Sequence, residues 1–180
     1  MQGTAPRLTN TSIAHGARSR NMEVRFINYI LSIDPGNVQT AYTLLEVDTL
    51  KPISARILPN AEMLDFIEGH SYKADIDFVI EMVASYGMAV GETVFETVFW
   101  IGQFYAAAGQ YKSRYRIKRM DVKMNLCHNS RAKDANIRQA LIDRFGVVGT
   151  KKNPGWFYGF KSDMWAAYAV GVTYHDTKAR

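Results

Sequence analysis

Cysteine is almost absent from this chain of 180 residues, and Cys127 is the single example. One thiol allows neither an internal disulfide nor a cysteine-based zinc site, so a reducing compartment such as the cytoplasm is the natural setting. Long apolar runs are also missing, because no stretch reaches the roughly 18 residues that a membrane-spanning helix needs. We therefore expect a soluble cytoplasmic protein with no membrane partner.

An excess of acidic charge is lacking as well. Lys and Arg together number 22 and Asp and Glu 17, which leaves a formal net charge of +5 at pH 7. A basic balance of this kind favours a polyanionic partner such as nucleic acid. The length and the apolar fraction of 47% are typical of one soluble globular domain.

The first 22 residues differ in composition from the remainder of the chain. They are polar and rich in Thr, Ser, Asn, Gly and Arg, and they lack the apolar segment of a secretory signal. We predict a flexible N-terminal extension over residues 1–22, with Met22 as an alternative start, and one folded domain over residues 23–180.

The hydrophobic pattern predicts an α/β fold in which a meander precedes alternating elements. Asn60 and Ser162 are expected as helix N-caps. Meander and crossovers together give a five-stranded mixed sheet, with three antiparallel strands, two further parallel strands and helices on both faces. Strands are expected at 25–33, 38–47, 53–58, 76–80 and 115–122, and helices at 61–69, 92–108, 129–145 and 163–174.

The predicted helix over 92–108 is apolar nearly all round. A helix of this kind is normally buried on more than one side. We expect it to pack against the sheet and against something else, such as a second subunit.

Three acidic residues stand at the ends of predicted elements. Asp34 ends the first strand just before a Pro-Gly turn, Glu81 ends the fourth strand, and Asp163 opens the last helix. If the two strands are parallel neighbours, their carboxyl ends meet at one edge of the sheet, and we expect all three acids to meet there. Carboxylates so close together need a divalent cation or raised pKa values, and an all-oxygen set favours Mg²⁺ or Mn²⁺ over zinc.

Each acid also has a plainer interpretation. Asp-Pro-Gly opens turns routinely, which is enough to explain Asp34. An Asp in the first turn of a helix is stabilised by the helix dipole alone, which applies to Asp163 and to Asp134, a fourth candidate ligand. Glu81 is harder to explain in this way, since an unpaired Glu in an apolar strand is rare. A strand-end Asp also suits an actin-like ATPase, but the chain lacks a second Gly-rich phosphate motif.

Short motifs around these acids follow one another along residues 28–176. They are Ile33-Asp34-Pro35-Gly36, Ile80-Glu81-Met82-Val83, Trp100-Ile101-Gly102-Gln103, Val122-Lys123 and Ser162-Asp163-Met164-Trp165-Ala166-Ala167. In this order they resemble the RuvC family of Holliday junction resolvases, in a phage-like version. The resemblance implies a ribonuclease H-like fold, a homodimer, two Mg²⁺ ions replaceable by Mn²⁺, and symmetric nicking of four-way DNA junctions. It also implies a role in DNA recombination and repair, in the cytoplasm of a bacterial host if the chain is phage-encoded.

The resemblance assigns roles to individual residues. Asp34, Glu81 and Asp163 match the metal-binding acids of the family. Lys123 matches a basic residue near the scissile phosphate, and Lys133 matches a DNA-contacting lysine before a helix. Tyr86 is the nearest candidate for an aromatic residue that stacks on an exposed junction base.

One position departs from the family pattern. The family usually has a fourth acid or a His three residues before the position of Asp163, and Phe160 stands there in this chain. Asp134, His128 or water would then complete the ligand set. The departure also motivates a rival hypothesis, a DNA-binding module with a degenerate site. A further rival is a ribonuclease H-like nuclease that acts on other branched DNA or on RNA–DNA hybrids.

Two basic segments, at 112–119 and 151–161, are predicted to contact DNA phosphates. Phosphate contacts of this kind give affinity without base specificity. The second segment interleaves its lysines with Trp156, Phe157 and Tyr158, which favours nucleic-acid binding. The basic residues concerned are Lys112, Arg114, Arg116, Lys118, Arg119, Lys151, Lys152 and Lys161.

Overall fold

A computed structural model describes residues 28–71, 73–85, 87 and 89–178. The predicted extension over 1–22 lies outside the described residues, and so does Tyr86. No helix in the described part of the chain is both long enough and apolar enough to cross a membrane.

A five-stranded mixed sheet forms the middle of the structure. Its strands lie in the order β3-β2-β1-β4-β5. The pairs β1–β2 and β2–β3 are antiparallel, and the pairs β1–β4 and β4–β5 are parallel. The predicted fold class is therefore confirmed. The strands are β1 (Tyr29–Asp34), β2 (Gln39–Glu46), β3 (Pro52–Pro59), β4 (Ile76–Met82) and β5 (Ser113–Lys118).

Helices cover both faces of the sheet, as predicted. They are α1 (Asn60–Gly69), α2 (Glu92–Ala107), α3 (Arg119–Cys127), α4 (Asp134–Phe145) and α5 (Met164–Lys178). Alternate residues of a strand point to opposite faces, so each strand supplies two cores. Ile33 and Ile80 pack with residues of α1 and α2, whereas Ile30 and Val79 pack with residues of α3, α4 and α5.

Helix α5 lies directly against the sheet because of its small residues. A Cβ atom added to Gly171 would lie 2.6 Å from Leu45 Cδ1 and 2.7 Å from Ser32 Oγ. Only glycine allows this approach, since real Cβ atoms do not come so near to other heavy atoms. The start of α5, where Asp163 stands, is thereby held at a fixed position relative to β1.

The predicted strand over 115–122 is wrong in its second half. Strand β5 ends at Lys118, and α3 begins at Arg119. The amide of Lys118 donates to Asp121 Oδ2 at 3.1 Å, which satisfies a backbone donor at the start of the helix. Val122 is fully buried on the inner side of that helix. Lys123, which the prediction put just after the strand, lies in this helix.

Candidate active site

Asp34 and Glu81 occupy neighbouring positions at the carboxyl ends of two parallel strands. The register pairs Ile33 of β1 with Ile80 of β4, so the next residue on each strand is an acid. Because Ile33 and Ile80 point to the α1–α2 face, the alternation of side chains directs both acids to the face covered by α3, α4 and α5. The side chain of Glu81 is 15% exposed, and Asp34 is partly buried.

The turn after Asp34 is fixed by a side chain from the start of α1. Asn60 was predicted to cap this helix, but its side chain makes no cap hydrogen bond. Its Nδ2 donates to the carbonyl of Gly36 at 3.0 Å, and its Oδ1 accepts from Thr40 Oγ1 at 2.7 Å. Gly36 itself is required sterically, because a Cβ atom there would lie 2.5 Å from the carbonyl oxygen of Gln39. The buried Asn60 thus holds the turn that positions Asp34.

Asp163 immediately precedes α5 and is exposed. Its carbonyl accepts a hydrogen bond from the Ala167 amide at 2.9 Å, as expected of a residue that flanks a helix start. The predicted cap by Ser162 is wrong. Ser162 has a φ of 44°, and its hydroxyl donates to Asp163 Oδ1 at 3.1 Å instead.

We define the acidic edge as Asp34, Glu81, Asp134 and Asp163. Arg119 contacts two of these acids. Asp134 lies in the first turn of α4, and Arg119 is the first residue of α3. Arg119 donates to Glu81 Oε2 at 3.2 Å and, through its other terminal nitrogen, to Asp134 Oδ1. Arg119, Asp134 and Asp163 line one small cleft of about 60 Å³.

Burial and the neighbouring charges raise the pKa values of the two strand-end acids. Burial, together with the charges of Glu81, Asp163 and Asp134, raises the pKa of Asp34 to about 8, although Arg119 acts in the opposite direction. Burial also raises the pKa of Glu81. With a pKa of about 8, Asp34 keeps its proton near neutral pH unless further positive charge approaches it.

The donor set fits a hard divalent cation in chemistry and in charge. All four members of the acidic edge supply carboxylate oxygens, which Mg²⁺ and Mn²⁺ prefer. The arrangement is nevertheless not that of a closed metal site, since no group of three or more His, Cys, Asp or Glu among the described residues could hold an ion as placed. Two of the four carboxylates are engaged by Arg119 instead.

Lys123 lies in α3 and close to the acidic edge. It follows Arg119 by one turn of α3, so the two cations share a helix face. The charge of Lys123 acts to lower the pKa of Glu81. Lys118 and Lys133, the residues just before α3 and α4, are both exposed.

Phe160, at the departure from the family pattern, is a packing residue. Its ring centroid lies 5.3 Å from that of Phe157, 5.4 Å from that of Trp165 and 5.7 Å from that of Tyr168. The side chain at this position therefore contributes an aromatic contact and has no atom that can bind a cation as a ligand. Asp134 is the described residue that brings a fourth carboxylate near Asp34.

The aromatic residues of the loop over 149–161 differ from the prediction. Phe157 is fully buried, and Trp156 stacks on Phe145 and donates its Nε1 hydrogen to Tyr168 at 2.9 Å. The ring of Phe157 therefore packs in the interior, Trp156 is half-buried, and Tyr158 is exposed. The lysines at 151 and 152 are exposed in a tight turn closed by a bridge between Gly149 and Pro154.

A basic groove lies on another side of Asp163. Its volume is about 530 Å³, and its lining includes Gln39, Arg56, Lys161 and Ser162. Lys161 was predicted to bind DNA, but sequence reasoning missed Arg56. Arg56 lies in the middle of β3, where no local signal distinguishes it from any other solvated strand residue.

Comparisons with known proteins agree with the architecture. No protein-family model matches the chain, and no curated protein matches it in sequence. The solved structure of Thermus thermophilus RuvC is similar, with a TM-score of 0.59 and 16% identity over 81% of this chain and 92% of that one. T. thermophilus RuvC in complex with Holliday junction substrate gives a TM-score of 0.53 and 15% identity over 82% and 92%. The chain therefore has a RuvC-like fold of the ribonuclease H-like class.

Proposed function

We propose that this protein is a Mg²⁺-dependent endonuclease that cuts branched DNA, and that its substrate is the four-way (Holliday) junction. The observation that supports the proposal is that Asp34 and Glu81 end neighbouring parallel strands of a RuvC-like sheet, with Asp134 at the start of α4 and Asp163 just before α5 both acting on the charge of Asp34. Four acids gathered beside basic residues suit a reaction on a phosphodiester, where a cation must offset the negative charge of both enzyme and substrate.

The chain's own residues would divide the work as follows. Asp34, Glu81 and Asp163, with Asp134 as fourth ligand, would hold two divalent ions. When bound, Mg²⁺ or Mn²⁺ would make water a stronger nucleophile and offset charge on the phosphate. Lys123 would add positive charge beside the phosphate oxygens as the bond to the leaving oxygen breaks.

Exposed basic residues would hold the DNA backbone on either side of the cut. Arg56 and Lys161 share the groove beside Asp163 and suit the phosphates next to the cleaved one. Contacts from the other lysines would add affinity that falls as salt rises. Tyr86 is retained as the candidate for stacking on an unpaired junction base. The other lysines are Lys118, Lys133, Lys151 and Lys152.

Two symmetric cuts require two active sites, and helix α2 offers a surface for a homodimer. Phe95, Val98 and Phe99 share one face of this helix and are 63%, 40% and 57% exposed. Large apolar side chains grouped in this way mark interaction surfaces. A protein that sediments as a monomer at micromolar concentration would contradict the dimer.

The proposal is tested by cleavage of a synthetic four-way junction with Mg²⁺. A flap, an RNA–DNA hybrid and a linear duplex of the same sequence serve as competing substrates. We expect the junction to be cut fastest, and we expect Asp34→Asn and Glu81→Gln to lose at least about 100-fold in rate. Asp48→Asn, which changes an exposed turn residue in the same way, is the matched control. Full activity in the first two variants would refute the assigned roles.

A second candidate function is DNA binding without cleavage. The packing of Phe160 and the engagement of Glu81 and Asp134 by Arg119 favour it. Calorimetric titration with Mn²⁺ separates the two functions, because a module with no metal site gives no heat of binding. Junction binding without either metal binding or cleavage would establish the second function.

A further inference from the structure

Arg119 lies among the carboxylates that the proposed metal ions would need. One terminal nitrogen of its guanidinium contacts Glu81, and the other contacts Asp134. Its side chain is 25% exposed, so the group is largely withdrawn from water. Its positive charge also reaches Asp34, where it opposes the rise in pKa that burial and the other acids cause.

The position of Arg119 is poorly explained by the stability of its own helix. It is the first residue of α3, and a cation at a helix N-terminus is disfavoured by the helix dipole. The register pairs Met82 of β4 with Lys118 of β5, which puts Arg119 just beyond the sheet, beside Glu81. The partners of Arg119 are therefore the acids and not the helix end.

This contact also explains why the acids are not arranged around a single point. A guanidinium presents its donors as a flat fork, and carboxylates that bind it lie along the edges of that fork. A divalent ion instead needs its oxygens gathered around one centre. As long as Glu81 and Asp134 remain on Arg119, they are not available together to such a centre.

We propose that Arg119 is a resident counter-cation, which offsets part of the negative charge of the acidic edge in the DNA-free protein and releases Glu81 and Asp134 when divalent ions bind. This inference rests on the proposed metal-dependent function. The released guanidinium remains fully charged and has the DNA backbone as its next partner, because guanidinium groups bind phosphate in the same forked geometry as carboxylate. Arg119 thus positions the acidic ligands in the DNA-free protein and contacts a DNA phosphate after the metal has bound.

The inference is tested by calorimetric titration of Mn²⁺ into the DNA-free protein. In Arg119→Gln the metal no longer displaces a charge-assisted hydrogen bond, so we expect about tenfold tighter binding than in wild type. Arg131→Gln removes the same charge from an exposed loop and is the matched control, with an affinity close to wild type. Arg119→Lys keeps the charge without the fork and should lie between the two.

A measurement on the unchanged protein covers the possibility that Arg119→Gln does not fold. In ¹H–¹⁵N spectra of wild type, the Nε–H signal of Arg119 should shift on addition of Mg²⁺, whereas that of Arg131 should not. An unmoved Arg119 signal at saturating Mg²⁺, or Mn²⁺ affinity in Arg119→Gln that is equal to or weaker than in wild type, would overturn the role of Arg119 alone. Absence of metal binding in every variant would overturn the proposed function as well.

Discussion

Asp176 and Asp34 are both shielded from water, yet their surroundings move their pKa values in opposite directions. Asp176, near the end of α5, accepts two hydrogen bonds from Arg144 of α4, at 2.6 and 2.9 Å, and one from Asn125 of α3, at 3.0 Å. Burial acts to raise its pKa, but these donors and the charge of Arg144 outweigh burial and hold the pKa at about 2. Asp34 receives no side-chain hydrogen bond from the described residues, and its pKa is about 8.

Under the proposed function, the difference separates a carboxylate that supports the fold from one that would bind metal at the site. Asp176 joins three helices and leaves little of its hydrogen-bonding capacity unused. Asp34 is buried near other acids, and the single charge of Arg119 does not offset the cost of burial and repulsion, so ionised Asp34 destabilises the fold. Proteins retain such arrangements at functional sites, where activity and stability oppose each other.

The largest contrast is expected in catalysis. Asp176→Asn should leave the rate of junction cleavage by folded protein within about threefold of wild type, since Asp176 contacts no member of the acidic edge. Asp34→Asn should lose at least about 100-fold, because an amide is a poorer ligand than a carboxylate. Rates are compared at equal concentrations of folded protein, judged by circular dichroism. Equal losses of cleavage rate in Asp176→Asn and Asp34→Asn would contradict different roles for the two carboxylates.

The next contrast is in stability at neutral pH. Asp176→Asn removes charge-assisted hydrogen bonds, and because Arg144 is 40% exposed we expect a loss of only about 1–2 kcal/mol, or a melting point lower by about 2–8 °C. Asp34→Asn relieves repulsion and should melt at or above the wild-type temperature. Thermal unfolding in the presence of a chelator measures both. Arg144→Gln is the control and should resemble Asp176→Asn.

The smallest contrast is in the dependence of stability on pH. The pKa of Asp34 is higher in the folded state than its ordinary value of 3.8, so the folded state binds more protons and the free energy of unfolding falls as pH rises from about 4 to 8. The pKa of Asp176 is lowered in the folded state, so its effect on the pH dependence of stability has the opposite sign. Its contribution is complete above about pH 4 and is lost as pH falls towards 2.

Urea unfolding with chelator at pH 5, 6.5 and 8 measures how far Asp34 makes the free energy of unfolding fall as pH rises. We expect the decline between pH 5 and pH 8 to be at least about 1 kcal/mol smaller in Asp34→Asn than in wild type. Glu81, whose pKa is also raised, leaves a residual slope of the same sign. Asp176→Asn should retain the wild-type slope in this range, and identical slopes in wild type and Asp34→Asn would contradict the prediction.

The fold and the neighbouring positions of Asp34 and Glu81 were accessible from sequence because strand periodicity is local. Apolar runs that stop at Asp34 and Glu81 identify strand ends, and parallel pairing then brings those ends together. The boundary between β5 and α3 was not accessible in this way. Ile117 and Val122 fit both a strand and a helix pattern, and the backbone bond to Asp121 that starts the helix is visible only in the structure.

Roles that depend on distant partners were also beyond the sequence. Trp156 and Phe157 look like a nucleic-acid surface because lysines surround them, but contacts with α4 and α5 bury Phe157 fully and Trp156 in part. The sequence predicts only a phosphate contact for Arg119. Its position beside Glu81 depends on the pairing of β4 with β5, which the local sequence does not reveal. The partner of a charged residue such as Arg119 is thus set by tertiary structure and not by neighbouring residues in the sequence.

The hydrogen bonds of Asn60 link the first strand end to a helix on the far face of the sheet. One amide group spans the β1–β2 turn and the β3–α1 junction, so neither segment can shift without the other. Helix α1 in turn packs with α2 in the same core. The outer surface of α2 is therefore connected, through α1 and Asn60, to the turn that holds the carboxylate at position 34.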